Sequence, residues 1–327
     1  MREHTRLSCE PLESRAVPAY LYYNAAEMCL TYTGDEDVAN DVLITITWQQ
    51  GLMTDISITA SGPIYHDQPG VFFEDSGASY NWLYSAQIVG IGVSGGGLSD
   101  SLRIIGSGRS PYATVAIVVY AGAGNDQIET AYGPDLIHGE AGSDTIIGSG
   151  GSDLIYGDSN MAGAGADLIY GDKDAALNPG ADGDDTVYGG FGDDRISGGR
   201  GRDLLVGEDG NDTIYGAFGT GSDSLDGDDT LAGGSGNDLL FGSDGHDSIY
   251  GDDGDDSLYG GAGNDSLFGG MGRDSLEGEQ GDDQLALGRD PSVPGEGDGV
   301  EDIALGGPGI DGFTEVDLNS LDQITQD

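Results

Sequence analysis

The chain has 327 residues, with 59 acidic side chains against 11 lysines and arginines, and a formal net charge of −48. Such a charge excludes nucleic acid as a partner, because phosphates would be repelled. The 61 glycines show no collagen period and favour a turn-rich fold, and no stretch is long and apolar enough to span a membrane.

Residues 1–19 are predicted to be a sorting segment or a disordered tail. They lack the apolar core of an ordinary secretory signal. Residues 9–18, CEPLESRAVP, are similar to the short LEPR-type motif at the N-terminus of large bacterial surface repeat proteins. Both interpretations stay open from the sequence.

Residues 20–120 are predicted to be a β-rich region that leads into the repeats that follow. Short runs of β-branched residues recur between glycines and prolines, as in VLITITW at 42–48 and TVAIVVY at 114–120. The alternative is a separate small β-sandwich.

One stretch of this region carries a possible catalytic signal. GVSGG at 92–96 matches G-x-S-x-G around Ser94, the pattern of a hydrolase nucleophile. No helix-forming segment follows to build the strand–turn–helix that exposes such a serine. We therefore predict no catalytic residue, and a hydrolase is kept only as a third hypothesis.

Residues 121–286 repeat with a period of nine in the frame G-G-x-G-x-D-x-U-x, where U is a large aliphatic residue. The cleanest copy is GGAGNDSLF at 260–268, and sixteen copies keep both the aspartate and the aliphatic residue. The sixteen aspartates are Asp126, Asp135, Asp144, Asp153, Asp167, Asp185, Asp194, Asp203, Asp212, Asp229, Asp238, Asp247, Asp256, Asp265, Asp274 and Asp283.

Each nine-residue unit is too short for a helix and a turn. Its glycine half suits a tight turn, and its x-U-x half suits a three-residue strand whose middle side chain points to one face. One unit cannot bury its aliphatic residue, but a stack of units buries a continuous row. Two units then make one coil of about 18 residues, with turns along two edges and aliphatic residues facing inward from two sheets.

The turns offer carboxylates and main-chain carbonyls, which are the ligands of Ca²⁺, a cation that takes about six to eight oxygens. At this point the chain resembles the RTX family, the haemolysin-type calcium-binding nonapeptide proteins. The resemblance implies an all-β fold, a parallel β-roll that folds on binding multiple Ca²⁺ ions. It also implies that the sixteen aspartates, with turn carbonyls, hold the ions between successive turns on the same edge.

Three insertions interrupt the frame, at 157–161, 171–179 and 216–223. If the insertions break the register, fewer pairs of turns on the same edge can form sites. If the insertions loop out, all such pairs can form sites. We therefore expect roughly 9 to 14 ions. The copy at 130–138 lacks its first glycines and contains Pro134, so we expect a weak site at Asp135.

The ninth repeat position points outward and is often aromatic. The aromatic residues there are Tyr156, Tyr170, Tyr188, Tyr215, Phe241, Tyr250, Tyr259 and Phe268. They either stack between coils and shield hydrogen bonds, or form a contact surface for a glycan or a protein. His138 and His246, also in the repeats, are expected to face solvent.

Residues 287–327 are predicted to be a linker followed by a C-terminal cap, because the end of a solenoid needs cover. GGPGIDGFT at 306–314 is a degenerate repeat with Asp311. A C-terminal export signal is the other interpretation, and both can hold.

The sequence thus predicts a calcium-binding RTX repeat protein, secreted or on the cell surface, with a structural or interaction role and no catalysis. Its predicted cofactor is Ca²⁺, bound as multiple ions. The alternative function is an adhesin or glycan-binding protein, with a cell-surface glycan or protein as partner.

Overall fold

The computed structural model describes residues 19–24, 29–33, 41–49, 52–60, 64–65, 80–82, 90–96, 99–107, 116–158, 165–172, 183–217, 226–287, 303–315 and 323–325. Side chains are described for residues 99–104, 116–158, 165–172, 183–217, 226–287 and 303–313. The segment 1–18, with its LEPR-like motif, lies outside these ranges. Every regular element within them is a strand.

Eight strands precede the predicted repeats. They are β1 (Ala19–Asn24), β2 (Cys29–Thr33), β3 (Asp41–Gln49), β4 (Leu52–Ala60), β5 (Ile64–Tyr65), β6 (Tyr80–Trp82), β7 (Gly90–Gly96) and β8 (Ser101–Ser107).

Seventeen described strands follow: one that leads into the first copy, and one from each of the sixteen copies. They are β9 (Ala116–Ala123), β10 (Gln127–Glu129), β11 (Leu136–Ala141), β12 (Thr145–Ser149), β13 (Leu154–Tyr156), β14 (Leu168–Asp172), β15 (Thr186–Phe191), β16 (Arg195–Ser197), β17 (Leu204–Asp209), β18 (Thr213–Tyr215), β19 (Thr230–Ser235), β20 (Leu239–Asp244), β21 (Ser248–Asp253), β22 (Ser257–Ala262), β23 (Ser266–Met271), β24 (Ser275–Gln280) and β25 (Gln284–Leu287). Three more follow: β26 (Ile303–Leu305), β27 (Gly312–Glu315) and β28 (Gln323–Thr325).

The strands form two sheets, and the chain alternates between them. The first sheet has the order β5, β1, β2, β7 and then every odd-numbered strand from β9 to β27. The second has the order β6, β4, β3 and then every even-numbered strand from β8 to β28. From β7 and β8 onward, neighbouring strands in both sheets are parallel. This arrangement is a parallel β-roll, and the predicted all-β fold class is confirmed.

The aliphatic residue of each copy faces inward, as the frame predicts. All sixteen are at most 2% exposed: Ile128, Ile137, Ile146, Ile155, Ile169, Val187, Ile196, Leu205, Ile214, Leu231, Leu240, Ile249, Leu258, Leu267, Leu276 and Leu285. They pack into one cluster that runs the length of the roll. Burying one such side chain contributes about 1.5–3 kcal/mol, so this row supplies most of the apolar stabilisation.

The register of the roll is intact on both sides of the insertions. Leu154 in β13 pairs with Thr186 in β15 across the second insertion, and Thr213 pairs with Leu239 across the third. The roll also keeps Gly157 and Asp158, which the frame assigns to the first insertion, because the Asp158 amide donates to the Gly189 carbonyl at 2.9 Å. The turn at the first insertion therefore keeps the frame up to its second position.

Both ends of the repeat region continue into neighbouring strands. In the N-terminal region, β2 pairs in parallel with β7, and β3 with β8. At the C-terminal end, β26 pairs with β24 and β27 pairs with β25, which places Phe313 opposite Leu285. The C-terminal segment thus adds strands in register to both sheets. Among the residues that the structure describes, no helix has the length and apolar character needed to cross a membrane.

Candidate metal centre

The sixteen predicted aspartates lie in turns along the two edges of the roll, and each is at most 3% exposed. On the first edge, each aspartate precedes a strand of the second sheet; on the second edge, each precedes a strand of the first sheet. Two further residues join them. Asp100 starts the first edge and Asp311 ends the second.

A repeated hydrogen bond links the aspartates of each edge. The main-chain amide of each donates to Oδ1 of the aspartate one coil later, as from Asp126 to Asp144 at 2.9 Å and from Asp238 to Asp256 at 2.8 Å. We call these two rows the aspartate ladders. The first comprises Asp100, Asp126, Asp144, Asp167, Asp194, Asp212, Asp238, Asp256 and Asp274. The second comprises Asp135, Asp153, Asp185, Asp203, Asp229, Asp247, Asp265, Asp283 and Asp311.

The second carboxylate oxygen of most ladder members is buried without a hydrogen-bond partner in the described part of the chain. This holds for Oδ2 of Asp126, Asp144, Asp153, Asp167, Asp185, Asp194, Asp203, Asp212, Asp229, Asp238, Asp247, Asp256, Asp265 and Asp283. A buried polar atom without a partner is rare in native proteins, and binding an ion is one way in which such an atom is satisfied. The pattern therefore indicates a cation.

The first glycine of the frame leaves room beside this oxygen. A Cβ added to Gly260 would lie 2.6 Å from Oδ2 of Asp265 and 2.6 Å from the carbonyl oxygen of Gly278 in the next coil. Gly260 does not adopt a positive φ, so glycine is needed here for space and not for conformation. Two oxygens from consecutive coils thus face one gap, and hard oxygens are the ligands that Ca²⁺ prefers.

The second copy of the frame lacks this gap. Thr130 stands where most other turns have the first glycine and the copy of Asp126 has Ala121, and its hydroxyl donates to the Gly148 carbonyl oxygen at 2.7 Å. The carbonyl oxygen that faces the gap in the other turns is therefore already hydrogen-bonded in the turn of Asp135. This gives a physical reason for the weak site expected there.

Burial makes the ladder carboxylates difficult to ionise without a cation. Burial raises the pKa of Asp256 to about 7, and the charge of Asp274 adds to the effect. Burial, together with the charge of Asp153, raises the pKa of Asp185 to about 9. A bound divalent cation would offset both the lost hydration and the repulsion.

Within the described ranges, no three side chains of His, Cys, Asp or Glu converge on a single point. A cation in a turn must therefore take part of its ligands from main-chain carbonyls. The residues present fit this requirement, because each turn combines a buried carboxylate with carbonyl oxygens such as that of Gly278.

Three acidic residues near the ladders were not predicted as site residues. Asp158 and Asp172 occupy the second turn position, inside the segments predicted as the first two insertions, and Asp226 lies just after the third. Their charges add to burial in raising the pKa of neighbouring ladder aspartates, such as Asp144, Asp153 and Asp229. The signal that could have predicted them is an acidic residue close to an insertion, either at a position where the frame has glycine or beside one.

The outward aromatic residues stack from coil to coil. Tyr120, His138, Tyr156 and Tyr188 form one column, with ring centroids 4.7, 4.7 and 5.2 Å apart. Tyr215, Phe241 and Tyr259 form a second column at 4.9 Å spacing, and Tyr250 stacks on Phe268. His138 lies at an outward position as expected, but its ring is half-buried in its column, and burial lowers its pKa.

Ser94 lies inside β7, between Thr33 of β2 and Tyr120 of β9. A hydrolase nucleophile of the G-x-S-x-G type needs a sharp turn from a strand into a helix. The backbone around Ser94 is instead a continuous strand, and no helix lies within the described residues.

A two-sheet parallel roll, with buried aspartates in the turns of both edges, defines a cation-binding β-solenoid. The repeats identify the cation. Residues 129–160, 161–175, 179–214, 188–224, 223–258 and 250–285 match the family model of the RTX calcium-binding nonapeptide repeat, which spans four copies. The segments that match, nearly half of the chain, belong to this family, and the roll binds multiple Ca²⁺ ions. No curated protein matches the chain.

Proposed function

We propose that the protein is an exported or cell-surface calcium-binding protein whose roll folds when Ca²⁺ binds, with a structural or interaction role and no catalysis. The observation that carries this proposal is that, in the described part of the chain, most ladder members on both edges have a buried Oδ2 without a hydrogen-bond partner. Such a row of buried oxygens is unfavourable in a folded chain that lacks cations.

The sixteen predicted aspartates are the proposed ligands, with Asp100 and Asp311 extending the two ladders. Nine aspartates on each edge make eight neighbouring pairs per edge. One ion per pair would bring about +32 to a chain whose formal charge is −48. Because the ions bind the folded state, their binding free energy becomes folding free energy.

Circular dichroism tests the folding step. In EDTA at pH 8 and low ionic strength we expect the spectrum of an unfolded chain, and in millimolar Ca²⁺ that of a β protein. Mg²⁺ at the same concentration is the control, because Mg²⁺ demands a smaller octahedral shell and gives up its waters reluctantly. A full β spectrum in EDTA would falsify the proposal.

Calcium dependence also supports export, because cytosolic Ca²⁺ is scarce and the chain would stay unfolded until it left the cell. Immunodetection of the protein in medium, on the cell surface and inside the cell tests this point. Folded protein found only in the cytoplasm would contradict it.

The aromatic columns favour a second candidate, an adhesin or glycan-binding function. Tyr120 and Tyr250 are 44% and 37% exposed, so rings at the outer face are accessible to a partner. A glycan array probed with wild type and with Tyr120→Ala tests this candidate. Binding that is absent, or unchanged by the substitution, would leave stacking between coils as the role of the columns.

A further inference from the structure

Asp158 lies at the base of the first insertion, on the edge of the first ladder. It follows Gly157 and occupies a turn position that is Gly190 in the next coil. Only 5% of the residue is exposed. An acidic residue this deeply buried requires a specific partner.

The hydrogen bonds of Asp158 hold its carboxylate in place and use only one of its two carboxylate oxygens. Its amide donates to the Gly189 carbonyl oxygen at 2.9 Å, and its Oδ2 accepts from the Gly165 amide at 2.8 Å. The second bond joins the two described residues that flank positions 159–164. Its Oδ1 is buried and has no hydrogen-bond partner in the described ranges.

The neighbouring coil leaves no space for a second side chain at this position. A Cβ added to Gly190 would lie 2.9 Å from Cβ of Asp158 and 2.6 Å from its carbonyl oxygen. The carboxylate of Asp158 is thus confined to the turn. Its charge acts on three ladder members: it adds to burial in raising the pKa of Asp144, Asp167 and Asp194.

We propose that the Asp158 carboxylate is an additional Ca²⁺ ligand, and that the site it completes beside Asp167 has the highest affinity of the roll and fills first. This inference rests on the proposed function. Ca²⁺ affinity rises with the number of charged ligands and with the rigidity of the site. The turn adds a second carboxylate to that of the ladder, and in the folded roll the Gly165 amide holds it in place.

The chain offers a matched control on the same edge. Glu208 occupies the same turn position in the copy of Asp212, where no insertion follows, and its side chain is exposed. Glu208→Gln removes the same charge as Asp158→Asn. Asparagine keeps an oxygen that can accept from the Gly165 amide, so this hydrogen bond stays while the other carboxylate oxygen is lost.

The test is a Ca²⁺ titration of the full chain against a chromophoric chelator, which resolves the first equivalent bound. We expect Asp158→Asn to weaken that equivalent by about tenfold or more, and Glu208→Gln to change it by about twofold or less. Equal effects of the two variants, or no effect of Asp158→Asn, would overturn the inference and leave the proposed function standing. A wild-type chain that binds no Ca²⁺ would instead remove the proposed function itself.

A second measurement does not depend on the folding of Asp158→Asn. Tyr156 and Tyr188 precede the turns that Asp158 contacts, and the Gly157 amide donates to the Tyr188 carbonyl oxygen at 2.8 Å. One equivalent of Tb³⁺, which replaces Ca²⁺ and emits when excited through a nearby tyrosine, reports which site fills first. We expect Tyr156→Phe with Tyr188→Phe to abolish most of this emission, and Tyr250→Phe with Tyr259→Phe to preserve it. The reverse result would place the first ion elsewhere and refute the inference.

Discussion

At the scale of single residues, the aspartates of the ladders are unequal because their turns differ. Asp256 lies in the longest uninterrupted run of copies, and the turn before it begins with Gly251. In the turn of Asp135, the Thr130 hydroxyl already donates a hydrogen bond to the Gly148 carbonyl oxygen. The frame alone assigns both residues the same ligand role.

We expect Asp256→Ala to raise the Ca²⁺ concentration at the folding midpoint clearly, because it removes a ligand from two adjoining sites. Asp135→Ala should raise it much less. Circular dichroism during a Ca²⁺ titration measures both midpoints. Equal shifts would mean that the quality of the turn does not determine the strength of the site.

At the scale of elements, the three C-terminal strands determine how the roll ends. Ala304 of β26 is fully buried, and it pairs with Leu276 of β24. Phe313 of β27 packs against the core opposite Leu285. Without these strands, the last aliphatic residues and an unpaired strand edge would face water, and such an edge invites pairing with another chain.

We therefore expect a chain that ends at Arg289 to need more Ca²⁺ to fold, to lose the sites nearest Asp274 and Asp283 first, and to aggregate. Ca²⁺ titration and light scattering, compared with the intact chain, measure these effects. Ala304→Asp should behave similarly, because it places a charge in the core.

Ile310→Ser is the control in the same segment, because Ile310 is 78% exposed and its loss should change little. A chain ending at Arg289 that folds at the wild-type midpoint and stays monomeric would show that the segment is no cap. The export-signal interpretation would then take its place.

Much of the fold could be predicted because the frame encodes it locally. A period of nine with one aliphatic residue fixes the strand, the inward face and the parallel stacking, and residues such as Leu258 and Leu267 are fully buried as expected. The sequence also placed sixteen of the eighteen ladder aspartates in turns. These features depend on residues within one copy.

The features that escaped prediction depend on contacts between copies. Asp100 joins the first ladder although its copy, at 95–103, keeps only part of the frame. Asp158 was assigned to an insertion, since the sequence cannot show that its amide stays bonded to Gly189. The stacking of His138 between Tyr120 and Tyr156 likewise becomes visible only when coils 18 residues apart are superposed.

At the scale of the whole molecule, the buried carboxylates link stability to pH. Burial raises the pKa of Asp126 to about 6, of Asp256 to about 7 and of Asp203 to about 9, against a reference value of 3.8. A raised pKa in the folded state means that the folded chain binds more protons than the unfolded one. The contribution of these groups to folding stability is therefore fully present below about pH 4, near the reference pKa. It is lost as the pH rises to the folded-state pKa values of about 6 to 9.

We thus expect the roll without Ca²⁺ to be more stable at pH 5.5 than at pH 8.5. With Ca²⁺ the dependence reverses, because protons compete with the ion and the Ca²⁺ midpoint should rise as pH falls. Circular dichroism in EDTA and in Ca²⁺ at the two pH values measures both trends. A folded fraction in EDTA that grows with pH would contradict the assignment of these carboxylates to buried turns.

Each interior member of a ladder is both donor and acceptor: Asp256 accepts from the amide of Asp238, and its own amide donates to Asp274. A row of units that contact only their neighbours behaves as a one-dimensional cooperative lattice. Occupancy of one turn then favours occupancy of the next, and the steepness of a titration reports the length of the uninterrupted row. A substitution in the middle of a row divides it into two short cooperative blocks, whereas one at the end shortens it by a single unit.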